Sequence, residues 1–76
     1  MNKQRRKEIE EIADQMQELR DRLESVMDEE QDAYDNLPES FQCCERGEAM
    51  EDAIDNLNSA LDSVDEVLDY MQSAIE

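Results

Sequence analysis

The sequence predicts an all-α protein, an antiparallel two-helix hairpin that resembles a coiled coil and dimerises into a four-helix bundle. Two heptad patterns separated by a single proline indicate this fold. The chain has 76 residues, which is enough for one domain over residues 1–76. Only 38% of the residues are hydrophobic, so a lone hairpin would have a thin core, and we expect it to need a partner.

The first pattern covers the chain up to Leu37, where apolar residues recur at alternating steps of three and four with one acidic interruption. This row consists of Ile9, Ile12, Met16, Leu19, Leu23, Val26, Glu30, Ala33 and Leu37. Ala13, Met27 and Tyr34 widen it on one side. Since no Gly or Pro interrupts the pattern, it predicts a helix over about residues 4–36, with the row facing the second helix.

A break follows at Pro38, because the residue before a proline is driven out of the helical region. The only glycine, Gly47, leaves two possibilities. Either residues 38–46 form a short helix capped by Gly47, or the second helix runs through from Pro38 with Gly47 as a weak point. We place the connector or short helix at 37–47 and the second helix at about 48–75.

The second helix consists of two 14-residue repeats, since residues 48–61 align without a gap on residues 62–75. Its main apolar row consists of Met50, Ile54, Leu57, Leu61, Val64, Leu68, Met71 and Ile75. A neighbouring row of small residues consists of Ala53, Ala60, Val67 and Ala74. A single partner helix covers only one narrow stripe, so we expect this small-residue row to serve self-association as a homodimer or to form a second surface for a partner.

Matching the apolar spans of the two helices predicts their register. Antiparallel packing then brings Leu23 near Leu61 and Leu19 near Val64. In the same register Arg20 lies near Asp65, as a flanking ion pair.

The net charge is −16, and it is unevenly distributed. Residues 1–7 carry four bases and no acid, whereas residues 47–76 carry nine acids and no base. Such a charge repels nucleic acid and anionic membranes and attracts a basic protein surface. The N-terminus lacks the apolar segment of a signal peptide, and no apolar run is long enough to span a membrane, so we expect a cytoplasmic protein.

Carboxylates lie along the outer side of the second helix without a Lys or Arg between them. The candidate partner-binding residues are Glu48, Glu51, Asp52, Asp55, Asp62, Asp65, Glu66 and Asp69. Carboxylates three or four residues apart on a helix lie roughly 5–6 Å apart, which is close to the phosphate spacing of nucleic acid. This favours a DNA mimic that occupies the basic surface of a nucleic-acid-binding enzyme. The alternative is a structural interaction module whose acidic side is merely solvated.

Nothing in the sequence predicts catalysis, a metal site or a cofactor. There is no His, and the adjacent Cys43 and Cys44 supply at most two of the roughly four ligands that zinc requires. We interpret them as reduced thiols in the connector. The acidic residues between Asp28 and Glu39 match part of a calcium loop, but Ala33 occupies the position where that loop needs Gly. The sequence therefore predicts a protein that is not an enzyme.

Four segments together resemble a known group of proteins. They are the opening Asn2–Ile9, the connector Asp35–Gln42 with Glu45–Glu48, and Ala53–Leu57. They look like small acidic helical-hairpin proteins of phages and prophages of Gram-positive bacteria, although the Cys43–Cys44 pair departs from that pattern. The resemblance covers nearly the whole chain and assigns no role to any residue. It implies a phage-type accessory protein, a class in which inhibitors of host DNA enzymes and defence nucleases are common.

Overall fold

The computed structural model describes residues 1–76 and contains three α-helices and no strands. They are α1 (Lys3–Asp35), α2 (Glu39–Gln42) and α3 (Glu45–Ile75). The long helices α1 and α3 pack side by side, and the single turn of α2 lies in the connector against α3. The Cα atoms span 58 × 15 × 13 Å, so the molecule is a thin rod. The predicted all-α hairpin is confirmed.

Two side-chain pairs define the register of the hairpin. Arg20 contacts Asp65, and the Tyr34 hydroxyl donates a hydrogen bond to Glu51. Tyr34 lies 14 residues after Arg20, and Glu51 lies 14 residues before Asp65, so the helices run antiparallel without a slip. The predicted Arg20–Asp65 pair is confirmed, and with it the register in which the apolar spans match.

The side of α1 that faces α3 differs from the prediction. Ile12, Leu19 and Val26 were expected in the contact row, but their exposed fractions are 44%, 56% and 52%. Ala33, the fourth residue of this heptad position, is exposed as well. The half-buried positions are instead Ile9, Ala13, Met16, Arg20, Leu23, Glu24, Met27, Glu30, Tyr34 and Leu37.

This correction has a physical reason. Three adjacent rows of α1 are largely apolar, and one partner helix covers only two of them. Compared with the prediction, α1 is rotated about its own axis. This rotation brings Arg20 and Tyr34 next to the acceptors Asp65 and Glu51, and it leaves the row of Ile12 in solvent.

The core is small, as expected for a chain of this length. Only three residues are buried, Gly47, Ile54 and Leu61, and all three belong to α3. Ile54 is 8% exposed and Leu61 is 5% exposed. The remaining apolar residues of the interface are half-buried, since a two-helix rod cannot enclose them.

The connector differs from both predicted alternatives. A short helix does form, but it ends at Gln42, and α3 begins at Glu45 rather than at 48. Gly47 therefore lies in the first turn of α3 instead of capping a helix. A Cβ atom at this position would lie 2.1 Å from the carbonyl oxygen of Gln42. Gly47 is needed because the backbones of α2 and α3 approach each other closely there.

Side chains form hydrogen bonds at both ends of α1, whereas α2 and α3 begin without a side-chain cap. The Asn2 side chain accepts a hydrogen bond of 2.8 Å from the backbone N–H of Arg5 and caps α1. At the other end of α1, the Gln42 amide donates to the carbonyl oxygens of Tyr34 and Leu37, both at 3.2 Å. This side chain binds α2 to the end of α1. The Tyr34 carbonyl oxygen also accepts from the backbone N–H of Leu37, so the Gln42 amide adds a second donor there and supplies a donor for the Leu37 carbonyl oxygen.

Candidate partner-binding surface

The predicted partner-binding carboxylates lie on α3, and most of them point to solvent. Seven of the eight residues are exposed, and only Asp65 is half-buried. Six form no hydrogen bond or ion pair within the protein: Glu48, Asp52, Asp55, Asp62, Glu66 and Asp69. The structure therefore brings six unpaired carboxylates to one outer surface and uses the other two internally.

Asp65 is held by Arg20, whose guanidinium lies between the two long helices. Arg20 Nε lies 2.6 Å from Asp65 Oδ1, and Nη2 lies 3.2 Å from Oδ2, which is a bidentate geometry. Nη1 of the same side chain lies 2.5 Å from Glu24 Oε2. The hydrogen bonds from Arg20 lower the pKa of Asp65, and those to Asp65 and Glu24 raise the pKa of Arg20. Asp65 thus stabilises the hairpin rather than facing a partner.

Glu51 is engaged in a similar way near the connector. Its carboxylate accepts the hydrogen bond from Tyr34, and this bond raises the pKa of the Tyr34 phenol above its ordinary value. We call the side of the hairpin that carries Arg20, Asp65, Tyr34 and Glu51 the polar flank. Both of its cross-helix contacts are made by residues just outside the apolar interface.

Charge is distributed unequally along the rod. The register places residues 63–76 beside residues 1–22, and we call these two segments together the terminal half. Residues 23–62 form the connector half. The connector half contains thirteen acids and one base, a net charge of −12, and the terminal half contains ten acids and six bases, a net charge of −4. Most of the negative potential therefore lies around the connector.

An apolar surface lies on the other side of the hairpin, and we call it the apolar flank. It combines two rows of residues, one from each long helix. The rows are Ile12, Leu19, Val26 and Ala33 of α1, and Ala53, Ala60, Val67 and Ala74 of α3. Leu19 lines the same shallow groove as Val64, and Val64 is a near neighbour of Ala60 and Val67 along α3. Arg20 lines this groove too, but its contact with Asp65 places both of these residues on the polar flank. Leu19 lies about 100° around α1 from Arg20, and Val67 lies about 160° around α3 from Asp65, so the two rows flank the helix interface on the same side.

The predicted self-association residues form the α3 part of this flank. Ala53 and Ala60 are half-buried, whereas Val67 and Ala74 are exposed. The sequence interpretation missed the α1 part, because Ile12, Leu19 and Val26 were assigned to the interface with α3. A signal for it existed in the three adjacent apolar rows of α1, which are more than one partner helix can cover.

Other features of the surface indicate no particular chemistry. No group of three or more His, Cys, Asp or Glu residues is arranged so that it could hold a metal ion. Cys43 and Cys44 are free thiols, and the sulfur of Cys44 donates to the carbonyl oxygen of Phe41 at 2.8 Å. None of the helices combines the length and the apolar content that a membrane crossing requires.

Comparison with known proteins gives no relative from which a function could be transferred. No family model matches the sequence, no curated protein matches it, and no solved structure matches the fold.

Proposed function

We propose that this chain is a non-enzymatic binding protein whose acidic surface occupies the basic nucleic-acid-binding surface of a host DNA enzyme or defence nuclease. In this role it acts as a DNA mimic and an inhibitor in the cytoplasm, as a phage-type accessory protein would. One observation carries the proposal. The connector half has a net charge of −12, and its carboxylates on α3 are mostly exposed and unpaired.

The charge density of the rod supports this role. The net charge of −16 over 58 Å is one charge per about 3.6 Å, compared with one per about 3.4 Å along a single DNA strand. The connector half places its −12 on roughly half of the 58 Å length, or one charge per about 2.4 Å. That density lies between the values for one strand and for the duplex, which is about 1.7 Å per charge.

Electrostatic repulsion within the protein also supports a basic partner. Like charges on one surface repel each other, and no Lys or Arg relieves the repulsion along α3 after Arg46. In a basic groove the same carboxylates would pair with Lys and Arg, and the rod would be attracted from a distance. Direct binding to nucleic acid or to an anionic membrane is disfavoured by the same charge.

A structural interaction module is the second candidate, and the exposed row of Ile12, Leu19 and Val26 favours it. In that case the acidic surface would keep the protein soluble, and binding would involve the apolar flank alone. The two candidates differ in which surface they need, so charge substitutions on α3 separate them.

The test is competition with DNA. The immobilised chain is incubated with a bacterial lysate, and bound enzymes are released with duplex DNA. Each released enzyme is then loaded with a fluorescent duplex, and displacement of the duplex by the free chain is followed by anisotropy. We expect displacement that weakens steeply with added salt, because contacts between charged groups are screened.

A matched pair of variants locates the binding surface. D52N/D55N/D62N removes three exposed carboxylates from the connector half, and E8Q/E11Q/D14N removes three from the terminal half. Both variants have the same net charge. We expect the first to lose at least about tenfold in affinity and the second to lose much less, since each carboxylate–cation contact contributes up to about 1 kcal/mol. Equal losses, or binding that is insensitive to salt, would contradict the mimic.

A further inference from the structure

We infer that the apolar flank binds a second copy of this chain, with the two rods antiparallel to each other. The proposal does not depend on the function of the acidic surface. It concerns a different surface, the apolar flank, and three observations indicate that a second copy of this chain occupies it.

The first observation is the area left in solvent. A folded chain of 8.9 kDa is expected to expose about 4,800 Å², whereas this chain exposes 5892 Å². The excess is about 1,100 Å², and a stable interface buries about 800 Å² per partner. A second rod on the apolar flank would bring the exposed area into the ordinary range.

The second observation is the symmetry of the two rows. Ile12 and Val26 lie seven residues on either side of Leu19, and Ala60 and Ala74 lie seven residues on either side of Val67. Arg20 pairs with Asp65, so Leu19 and Val67 lie at nearly the same level of the rod.

A twofold axis at that level, perpendicular to the rod, makes the flank complementary to itself. It places Leu19 against Leu19 and Val67 against Val67 of the second copy. It also places Ile12 against the second copy's Val26. A self-complementary patch of this kind is what a twofold dimer requires.

The third observation is charge. In the antiparallel arrangement each connector half, with its net charge of −12, faces the terminal half of the other copy, with its net charge of −4. The four bases of residues 3–7 then lie beside the acidic connector half of the second copy. Parallel rods would place two connector halves side by side, which Coulomb repulsion opposes.

The resulting assembly is a four-helix bundle in which neighbouring helices are antiparallel. Around α3, Asp62 lies about 160° from Ala60 and Asp52 lies about 100° from Ala53. The carboxylates of the outer surface therefore stay accessible in the dimer, and the dimer presents two copies of them.

Sedimentation velocity at micromolar concentration tests the interface. We expect the wild type to sediment as a dimer and L19E/V67E as a helical monomer, with a dissociation constant raised by more than about 100-fold. S25E/S59E adds the same charge on the outer sides of the two helices, where both serines are exposed, and should remain dimeric. A monomeric wild type, or an L19E/V67E variant that stays dimeric, overturns the proposal.

Oxidative cross-linking tests the arrangement without relying on a charged variant. In a C43S/C44S background, L19C should form a disulfide-linked dimer, because Leu19 meets its own copy at the axis. The wild-type thiols of Cys43 and Cys44 should not cross-link, because antiparallel rods hold the two connectors at opposite ends of a rod 58 Å long. Cross-linking through the connector without cross-linking at L19C would overturn the antiparallel dimer. DNA competition that fails while L19C still cross-links contradicts the proposed function alone.

Discussion

The connector half and the terminal half of the rod use their residues in different ways. All three buried residues, Gly47, Ile54 and Leu61, belong to the connector half, which also carries a net charge of −12. The terminal half contains no buried residue and has a net charge of −4. The tightest packing thus occurs where repulsion is strongest. Burial of apolar surface there opposes the cost of collecting so many carboxylates.

The terminal half, which has the looser packing, exposes more large apolar side chains than the connector half. The terminal half leaves Ile12, Leu19 and Val67 in solvent and closes the hairpin with the Arg20–Asp65 pair. In the connector half the apolar flank consists of Val26, which is 52% exposed, and of the smaller residues Ala33, Ala53 and Ala60. The connector half therefore carries most of the net charge, and the terminal half carries more of the exposed large apolar side chains. This division is consistent with two binding surfaces on one small chain.

The largest expected effect compares the same substitution in both halves. Leu61→Ala removes a side chain that is 5% exposed, whereas Leu68→Ala removes a half-buried one in the terminal half. We expect the free energy of unfolding to fall by about 3 kcal/mol for Leu61→Ala and by about 1–2 kcal/mol for Leu68→Ala. Urea denaturation followed by circular dichroism measures both, at one protein concentration because dimerisation would shift the midpoint.

Equal losses of unfolding free energy for the two substitutions would show that the two halves are packed equally tightly. A larger loss for Leu68→Ala would reverse it, and would place the main core near the termini.

Most of the fold could be predicted from the heptads, and the side of α1 that faces α3 could not. The two apolar spans determine the helices and the register, and the Arg20–Asp65 pair follows from them. The rotation of α1 depends on which of two rows faces α3. One is the strongly apolar row of Ile12, Leu19, Val26 and Ala33, and the other is the less hydrophobic row of Ala13, Arg20, Met27 and Tyr34. Arg20 and Tyr34 decide the rotation through contacts with residues 45 and 17 positions away in the sequence. A pattern confined to one helix contains no information about such distant partners.

The partner-binding carboxylates of α3 were also predicted only in part. Outer carboxylates of α3 follow from the repeat, since a heptad places them on one row away from the core. The engagement of Asp65 by Arg20 follows from the predicted register, whereas the engagement of Glu51 by Tyr34 was not predicted and depends on the rotation of α1. For Gly47 the sequence suggested a cap or a weak point, whereas the structure shows a close approach to Gln42 that depends on how α2 folds back.

Gly47→Ala tests the packing of the connector half directly. The sign of the change in the free energy of unfolding shows which of two opposing effects is larger. Helix propensity alone would make Ala more stable than Gly by up to about 1 kcal/mol. A Cβ atom 2.1 Å from the Gln42 carbonyl oxygen forces the backbone to move, so we expect a loss of about 1–3 kcal/mol instead. Thermal unfolding measures the change. An increase in stability would show that α2 does not pack against α3 in solution.

The smallest effect concerns the polar flank of the connector half. In a Y70F background Tyr34 is the only tyrosine, and its phenolate can be followed by ultraviolet absorbance as the pH rises. The hydrogen bond to Glu51 raises the pKa of Tyr34, so the midpoint should lie above the ordinary value of about 10 and should fall in Y70F/E51Q.

The corresponding effect on stability has a definite sign. Because the pKa of Tyr34 is higher in the folded state than in the unfolded state, the contact stabilises the protein fully below pH of about 10. That contribution is lost as the pH rises through the folded value. The free energies of unfolding of the wild type and of Y34F should therefore differ below this pH range and converge above it. A midpoint that E51Q leaves unchanged would mean that Glu51 does not contact Tyr34, and that only the Arg20–Asp65 pair of the terminal half joins the two helices on this flank.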